Sequence, residues 1–283
     1  MRTAIIGLGL IGGSMGLALR KKADLEVVGF ARRGETASRA VELGAVDRTE
    51  GDLLAAVKGA EVVLIATPVM AMKDIMARIG KSLDEGCIVT DVASTKAKVV
   101  GWAGECLPSG VNFIGGHPMA GKETSGIEAA DADLFIGCTY CLVPGRGATS
   151  EALDRVEGLV RQIGAKPLLI DASEHDMLVA SVSHLPIVIS SALVSMTTKS
   201  PSWAKMAQLA ATGYRDLTRL ASGSPEMSRD ICLTNREPIL RWIDEYIEEV
   251  GKFRQLVSEG SDELEEAFRQ AREGREGWRG MAR

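Results

Sequence analysis

The chain has 283 residues, enough for two domains at roughly one domain per 150 residues. Hydrophobic residues make up 46% and charged residues 25%, an ordinary globular balance that excludes a disordered or fibrous chain. A net charge of −5 supplies no field for phosphate backbones and 4% aromatics no stacking platform, so nucleic acid is not expected as a partner.

Five cysteines (Cys87, Cys106, Cys138, Cys141 and Cys232) form no paired framework. Cys138 and Cys141 make a lone C-x-x-C without two further ligands in pattern, and the three histidines supply no matching pair, so no metal is expected. Apolar runs such as 62–66 fall short of the ~20 residues of a membrane span. Arg2 followed by the apolar stretch 4–19 has the look of a signal peptide, but a more specific glycine pattern occupies the same residues. The reading is a cytoplasmic protein with no membrane partner.

Short apolar runs at 4–6, 26–30, 62–66, 87–92, 111–114, 138–143 and 167–170 alternate with helical stretches. Most of the runs are continuous, as in strands buried on both faces of a parallel sheet. Between them lie helical spacings such as Leu153, Val156, Leu159, Val160 and Ile163. This alternation predicts a doubly wound α/β sheet over residues 1–171.

The first strand runs into Gly7-Leu8-Gly9-Leu10-Ile11-Gly12, a G-x-G-x-x-G that opens a helix. In that setting Gly7 serves the tight turn, Gly9 the approach of a pyrophosphate, and Gly12 the packing of helix on strand. The amides of Leu10 and Ile11 then open toward phosphate at the helix start. A rival pattern overlaps it: Gly12-Gly13-Ser14-Met15-Gly16 fits the hydrolase elbow G-x-S-x-G, with Asp171 and His184 following in order. An elbow needs an earlier strand for its oxyanion loop, and Ser14 follows the first strand of the chain. The dinucleotide reading is preferred. About twenty residues on, NAD enzymes place an acid, whereas this chain has Gly29-Phe30-Ala31-Arg32-Arg33. Two guanidiniums suit a 2′-phosphate, which favours NADP over NAD.

Ligands of open α/β sheets lie off the carboxyl ends of strands. Those ends carry Thr67-Pro68, assigned to the cofactor, then Ala93-Ser94-Thr95-Lys96, then Gly115-Gly116-His117-Pro118. His117 is expected in a glycine-flanked loop at the cofactor's edge, where an imidazole can accept a proton from a substrate hydroxyl. Ser94 is expected to hydrogen-bond its ring or to cap the following helix. His175, in Glu174-His175-Asp176, reads as a cap or surface group.

After Asp171 the strand-like runs stop, which predicts an all-α domain over 172–283. Asp171 or Ser173 caps a long helix through Met177, Val179 and Val182, with Pro186 as its kink. Residues 236–257 repeat apolar positions at spacings of three and four, from Ile239 and Trp242 through Val257. So much apolar surface suggests packing against another chain or an internal bundle. Residues 259–280 read as a charged, exposed last helix. No room is expected for an appended regulatory module.

Five segments together carry a resemblance. The glycine loop through Ser14, Thr90-Asp91-Val92-Ala93-Ser94-Thr95-Lys96, Gly116-His117-Pro118-Met119-Ala120-Gly121, Ser183-His184-Leu185-Pro186 and Gly213-Tyr214-Arg215-Asp216-Leu217-Thr218-Arg219 are similar to the prephenate/arogenate (cyclohexadienyl) dehydrogenase family. The resemblance spans nearly the whole chain. It implies a Rossmann-type domain followed by a helical domain that dimerises, and oxidative decarboxylation of prephenate or arogenate with reduction of NADP or NAD. It also implies that His117 accepts the ring hydroxyl, Ser94 aligns His117 and the nicotinamide, Arg219 binds the ring carboxylate and His184 lines the pocket. Arg215 and Lys122 join them as substrate-side groups. Lys122 and Ser228 depart from residue types common in the family, which leaves prephenate against arogenate open. The alternatives are a β-hydroxyacid type of dehydrogenase, whose helical lysine motif is missing, and a dinucleotide-binding sensor without turnover.

Overall fold

The computed structural model describes residues 1–21 and 25–281. The first half folds as eight strands: β1 (Arg2–Ile6), β2 (Glu26–Phe30), β3 (Arg48–Thr49), β4 (Val62–Ile65), β5 (Ile88–Asp91), β6 (Asn112–Pro118), β7 (Thr139–Pro144) and β8 (Lys166–Leu169). They form one sheet in the order β3-β2-β1-β4-β5-β6-β7-β8. Helices α1 (Leu10–Leu19), α2 (Gly34–Glu42), α3 (Leu53–Val57), α4 (Val69–Ile79), α5 (Ala97–Cys106) and α6 (Ser150–Gln162) cross between strands. The sheet splits the core in two. Ile5, Val27, Leu64 and Ile114 pack toward α1 and α6, while Ile6, Val63, Ile65 and Val89 pack toward Met72, Met76 and Val99 of α4 and α5. Both faces are covered over the central strands β1, β2 and β4, which is why their buried runs are continuously apolar rather than alternating.

Chain order reverses at β1, with β2 and β3 on one side and β4 onward on the other. The crevice beyond the carboxyl ends of β1 and β4 is therefore the switch point where such sheets take ligands.

Three expectations about the sheet change. β3 carries Arg48 and Thr49, with no apolar run to reveal it. β6 runs on through the two glycines to Pro118, so His117 is a strand residue opposite Cys141 rather than a loop residue. The β6–β7 pair is also antiparallel, within an otherwise parallel sheet. The glycines of β6 are needed there. A Cβ on Gly116 would lie 2.4 Å from the Asp91 carbonyl oxygen and 2.8 Å from the Tyr140 hydroxyl.

The later elements are helical: α7 (Ala172–Val179), α8 (Leu185–Thr198), α9 (Trp203–Leu209), α10 (Thr212–Thr218), α11 (Pro225–Thr234), α12 (Arg236–Glu259) and α13 (Glu263–Met281). Asp171 caps α7, accepting from the backbone N–H groups of Ser173 and Glu174. Irregularity comes as a π-turn over Ala180–His184, just before Pro186, and the helical path continues through it. Ala172–Thr198 is long and apolar enough to cross a membrane, contrary to the run lengths counted in sequence. Serines and threonines interrupt every apolar run there, yet beyond Asp176 the helix holds no Asp, Glu, Lys or Arg. Val182 and Met196 on it are exposed, at 73% and 67%.

By contacts the chain forms two compact units, one from Met1 to Arg236 and one from Glu237 onward. The second consists of α12 and α13, with the rings of Phe253 and Phe268 tilted against each other, centroids 5.4 Å apart. Every residue of the site described next lies in the first unit.

Candidate active site

The turn after β1 is built as the glycine pattern requires. Gly7 has φ +98°, and a side chain there would meet the Ala66 carbonyl oxygen at 2.5 Å; one on Gly12 would meet the Gly7 carbonyl at 1.9 Å. Gly9 differs. It begins α1 with no side-chain cap, and a Cβ on it would find open space. The amides of Leu10 and Ile11 thus open onto free space beside Gly9 at a helix N-terminus, which fits a dinucleotide pyrophosphate. Thr67 sits against Gly7, and Pro68 begins α4 beside it. Arg32 and Arg33 follow β2, both exposed, with Arg33 at the start of α2. Ser14 is fully buried and accepts the Asp131 N–H at 2.9 Å, so its hydroxyl braces the 120–137 segment over α1 and is no nucleophile.

His117 stands at the far end of β6, on the same carboxyl edge. It is braced from below by a buried ion pair. Lys96 Nζ binds the Asp91 carboxylate and donates to the Gly116 carbonyl at 2.6 Å. Asp91 in turn accepts the N–H groups of Gly116 at 3.0 Å and Ala93 at 2.8 Å. Both charged side chains have 0% exposure. Burial pulls the Lys96 ammonium below its ordinary value, and the Asp91 carboxylate opposes that pull. These four groups fix the last turn of β5 to the strand that carries His117.

The partner of His117 is another histidine. His117 Nδ1 lies 2.9 Å from His175 Nε2, and His175 Nδ1 lies 2.8 Å from Asp176 Oδ1. The two rings meet edge to face, with centroids 5.1 Å apart. Asp176 also accepts the N–H groups of Lys96 (2.7 Å) and Ala97 (2.9 Å), tying α7 to the start of α5. Two expectations are corrected here. Among the described residues Ser94 makes no hydrogen bond to the His117 ring, whose Nδ1 is taken by His175. His175 is no surface group: it is 1% exposed, buried because Asp176 docks α7 on the amides of α5. Among the described residues nothing bonds His117 Nε2, the nitrogen left for a substrate. Burial above all, then the crowding of further ionisable groups (the His175 ring, the Lys96 ammonium and the His184 ring), holds His117 well below the usual imidazole value, so it is a neutral acceptor at pH 7.

His184 is the last residue of the π-turn and is 1% exposed. Asn235 donates to its Nδ1 at 3.1 Å and to the Asp176 carbonyl at 2.7 Å, while His184 Nε2 is buried without a well-aligned partner. Burial pushes its pKa down to about 4, against the opposing pull of Asp176. Unfolded, the ring titrates near 6.5, so as pH falls the unfolded chain takes up the proton first. Stability contributed above pH 6.5 is then lost between about 6.5 and 4, by about 3 kcal/mol. Urea unfolding across that range checks this: His184→Gln should flatten the slope, and an unchanged slope would contradict it.

The remaining substrate-side residues are exposed. Arg219 opens a 3-10 turn (Arg219–Ser222) and pairs with Glu123. Lys122 pairs with Asp131 at 2.9 Å, and Arg215 lies exposed on α10. The sequence reading missed His175, Asp176, Asn235 and the Asp91–Lys96 pair. Lys96 and Asp91 stood inside a segment read for its serine, and Glu174-His175-Asp176 has the charged look of a solvated helix start.

A glycine-turned nucleotide cradle with a neutral, buried histidine on the same sheet edge is the arrangement of a nicotinamide-dependent dehydrogenase. The comparisons narrow this. Residues 15–169 match the family model described as prephenate dehydrogenase, nucleotide-binding domain, and residues 171–270 match its dimerization domain. The chain belongs to the prephenate dehydrogenase family. It is 38% identical to prephenate dehydrogenase of Bacillus subtilis, over 96% of this chain and 75% of that one. It is 32% identical to cyclohexadienyl dehydrogenase of Zymomonas mobilis, over 96% and 94%. Among solved structures, prephenate dehydrogenase from A. aeolicus, in complex with hydroxyphenyl propionate and NAD+, is 28% identical, with a TM-score of 0.91 and 98% of both chains covered. Arogenate dehydrogenase of Synechocystis is 29% identical, with a TM-score of 0.84 over 98% of this chain and 100% of that one.

Proposed function

We propose that the protein oxidatively decarboxylates prephenate or arogenate on the way to tyrosine, with reduction of NADP in preference to NAD. The observation that carries this reading is His117, buried, neutral and with Nε2 free at the cofactor's edge of the sheet. Residues 1–171 bind the dinucleotide and 172–283 supply the substrate pocket and dimerise. When bound, the nicotinamide supplies the acceptor for the hydride that leaves the hydroxyl-bearing ring carbon.

The chain's own groups do the rest. Gly7, Gly9, Gly12, Leu10 and Ile11 hold the pyrophosphate, Thr67 and Pro68 line the nicotinamide side, and Arg32 and Arg33 meet the 2′-phosphate. His117 Nε2 takes the hydroxyl proton as the hydride departs. The carbonyl so formed is conjugated through the ring and receives the electron pair of the breaking C–CO2 bond. The oxygen then regains its proton as the ring becomes a phenol, so His117 only lends a place to that proton. Ser94 and His184 line the pocket, Arg215 and Lys122 face the substrate's side chain, and Arg219 exchanges Glu123 for the ring carboxylate.

Arg219→Ala is the direct test of the carboxylate assignment. Loss of a charge-assisted hydrogen bond contributes about 1.5–3 kcal/mol, which raises the substrate KM roughly 10- to 100-fold with little change in dinucleotide binding. A KM near wild type would remove Arg219 from the site. A second copy covers the exposed apolar positions of Ala172–Thr198, in keeping with the dimerization domain the family model describes. All five cysteines are free, which suits the reducing cytoplasm.

A further inference from the structure

The chain Asp176–His175–His117 assigns protons as well as positions. Asp176 Oδ1 accepts the Lys96 N–H and Oδ2 the Ala97 N–H, so the carboxylate faces donors on both oxygens. The His175 Nδ1 that meets Oδ1 at 2.8 Å is therefore a donor, N–H to carboxylate. With its one proton on Nδ1, neutral His175 presents a lone pair at Nε2. The contact at 2.9 Å then needs a proton from the other side, so His117 Nδ1–H donates to His175. That leaves the lone pair of His117 on Nε2, the nitrogen with no protein partner. The opposite assignment, His175 as a cation donating into His117 Nδ1, would put a proton on His117 Nε2 and leave it unable to accept from a hydroxyl.

We propose that His175, anchored by Asp176, is a positioning residue that locks His117 in the Nδ1–H tautomer and carries positive charge onward when His117 takes the substrate's proton. The balance closes within the site. The hydroxyl O–H breaks and its proton goes to His117 Nε2. The Nδ1 proton of His117 shifts to His175 Nε2, and the imidazolium so formed is paired with the Asp176 carboxylate. Both shifts reverse when the phenolic oxygen regains its proton after CO2 leaves. This deepens, and rests on, the reading of His117 as the partner of the substrate hydroxyl. It adds two residues to the reacting unit, one of them with a charge that the imidazolium needs.

The chain has three histidines, His117, His175 and His184, so ring nitrogens labelled with 15N are individually assignable from single substitutions. In the full-length protein without ligands, at about pH 7.5 and above the ordinary imidazole range, long-range proton–nitrogen correlations are expected to show His117 protonated on Nδ1 and bare on Nε2. His175→Phe, which keeps a ring and loses the acceptor, should move the His117 proton to Nε2. It should also lower kcat roughly 10- to 100-fold, with the substrate KM nearly unchanged. His175→Gln, whose amide oxygen accepts from Nδ1–H, should restore the tautomer and part of kcat. A proton on Nε2 of His117 in the wild-type protein overturns the proposal, as does a wild-type tautomer and kcat in His175→Phe. The wild-type spectrum needs no variant to fold. Failure of the underlying reading shows separately, as full kcat in a His117 variant whatever the tautomer.

Discussion

A His117→Ala variant is expected to lose roughly 10²- to 10⁴-fold in kcat while binding the dinucleotide as wild type does, because only the proton acceptor for the substrate hydroxyl is removed. The glycine turn after β1 and the 117 position share a sheet edge but no side-chain contact, so cofactor affinity is the internal control. The pH dependence carries a second signature. The acceptor must be neutral, and burial among His175, Lys96 and His184 holds its pKa well below the ordinary 6.5. Activity attributable to this group therefore persists as pH falls through 6.5 and declines only beneath the depressed value. Steady-state kinetics against pH checks both points: turnover unchanged in the variant, or a wild-type acid limb at an ordinary imidazole value, would sink the assignment.

Lys96→Met is expected to cost about 3–5 kcal/mol of folding stability, the largest structural effect of any single change considered for the site. The ammonium has 0% exposure and binds Asp91, also at 0%, together with the Gly116 carbonyl. Methionine fills the space but leaves a buried carboxylate without its counter-charge and a carbonyl without its donor. Adding Asp91→Asn should restore part of the loss, since the uncompensated charge then disappears. Urea unfolding of the single and the double variant against wild type measures this. A loss below about 1 kcal/mol in Lys96→Met would mean that water or rearrangement satisfies Asp91, contrary to the burial of the pair. Because Gly116 precedes His117, the same substitution should also lower kcat in the fraction that stays folded.

Much of the sheet is legible in advance because its central strands are buried on both faces. Runs such as 62–66 and 26–30 have no polar alternation to blur them, and β2 and β4 appear where those runs stand. Two-residue β3 has no such run, and its Arg48–Thr49 pairing with β2 comes from tertiary contact rather than local preference. The sequence ends β6 at 114 because glycines and proline usually end strands. Here they are there for close approach, with Asp91 and Tyr140 packed against the backbone of Gly116.

The site divides the same way. Gly7, Gly9, Gly12 and His117 were legible because a motif or a strand end announces them. His175 and Asp176 were not, because their burial depends on α7 docking on the first amides of α5, some eighty residues earlier in the chain. Nothing local distinguishes Glu174-His175-Asp176 from a solvated helix start. The same holds for the helical path Ala172–Thr198: its serines and threonines hide its length from a count of apolar runs, while its lack of charge beyond Asp176 shows only when the helix is continuous.

The most direct measurement is formation of reduced nicotinamide by the purified protein, with prephenate and arogenate each tested against NADP and NAD, and CO2 followed alongside. The account expects turnover in at least one of the four combinations, one CO2 for each reduced nicotinamide, and faster turnover with NADP than with NAD if Arg32 and Arg33 meet the 2′-phosphate. No reduction in any combination, from folded protein shown to bind the dinucleotide, would contradict it: the glycine cradle and His117 would then belong to a binding protein without this chemistry.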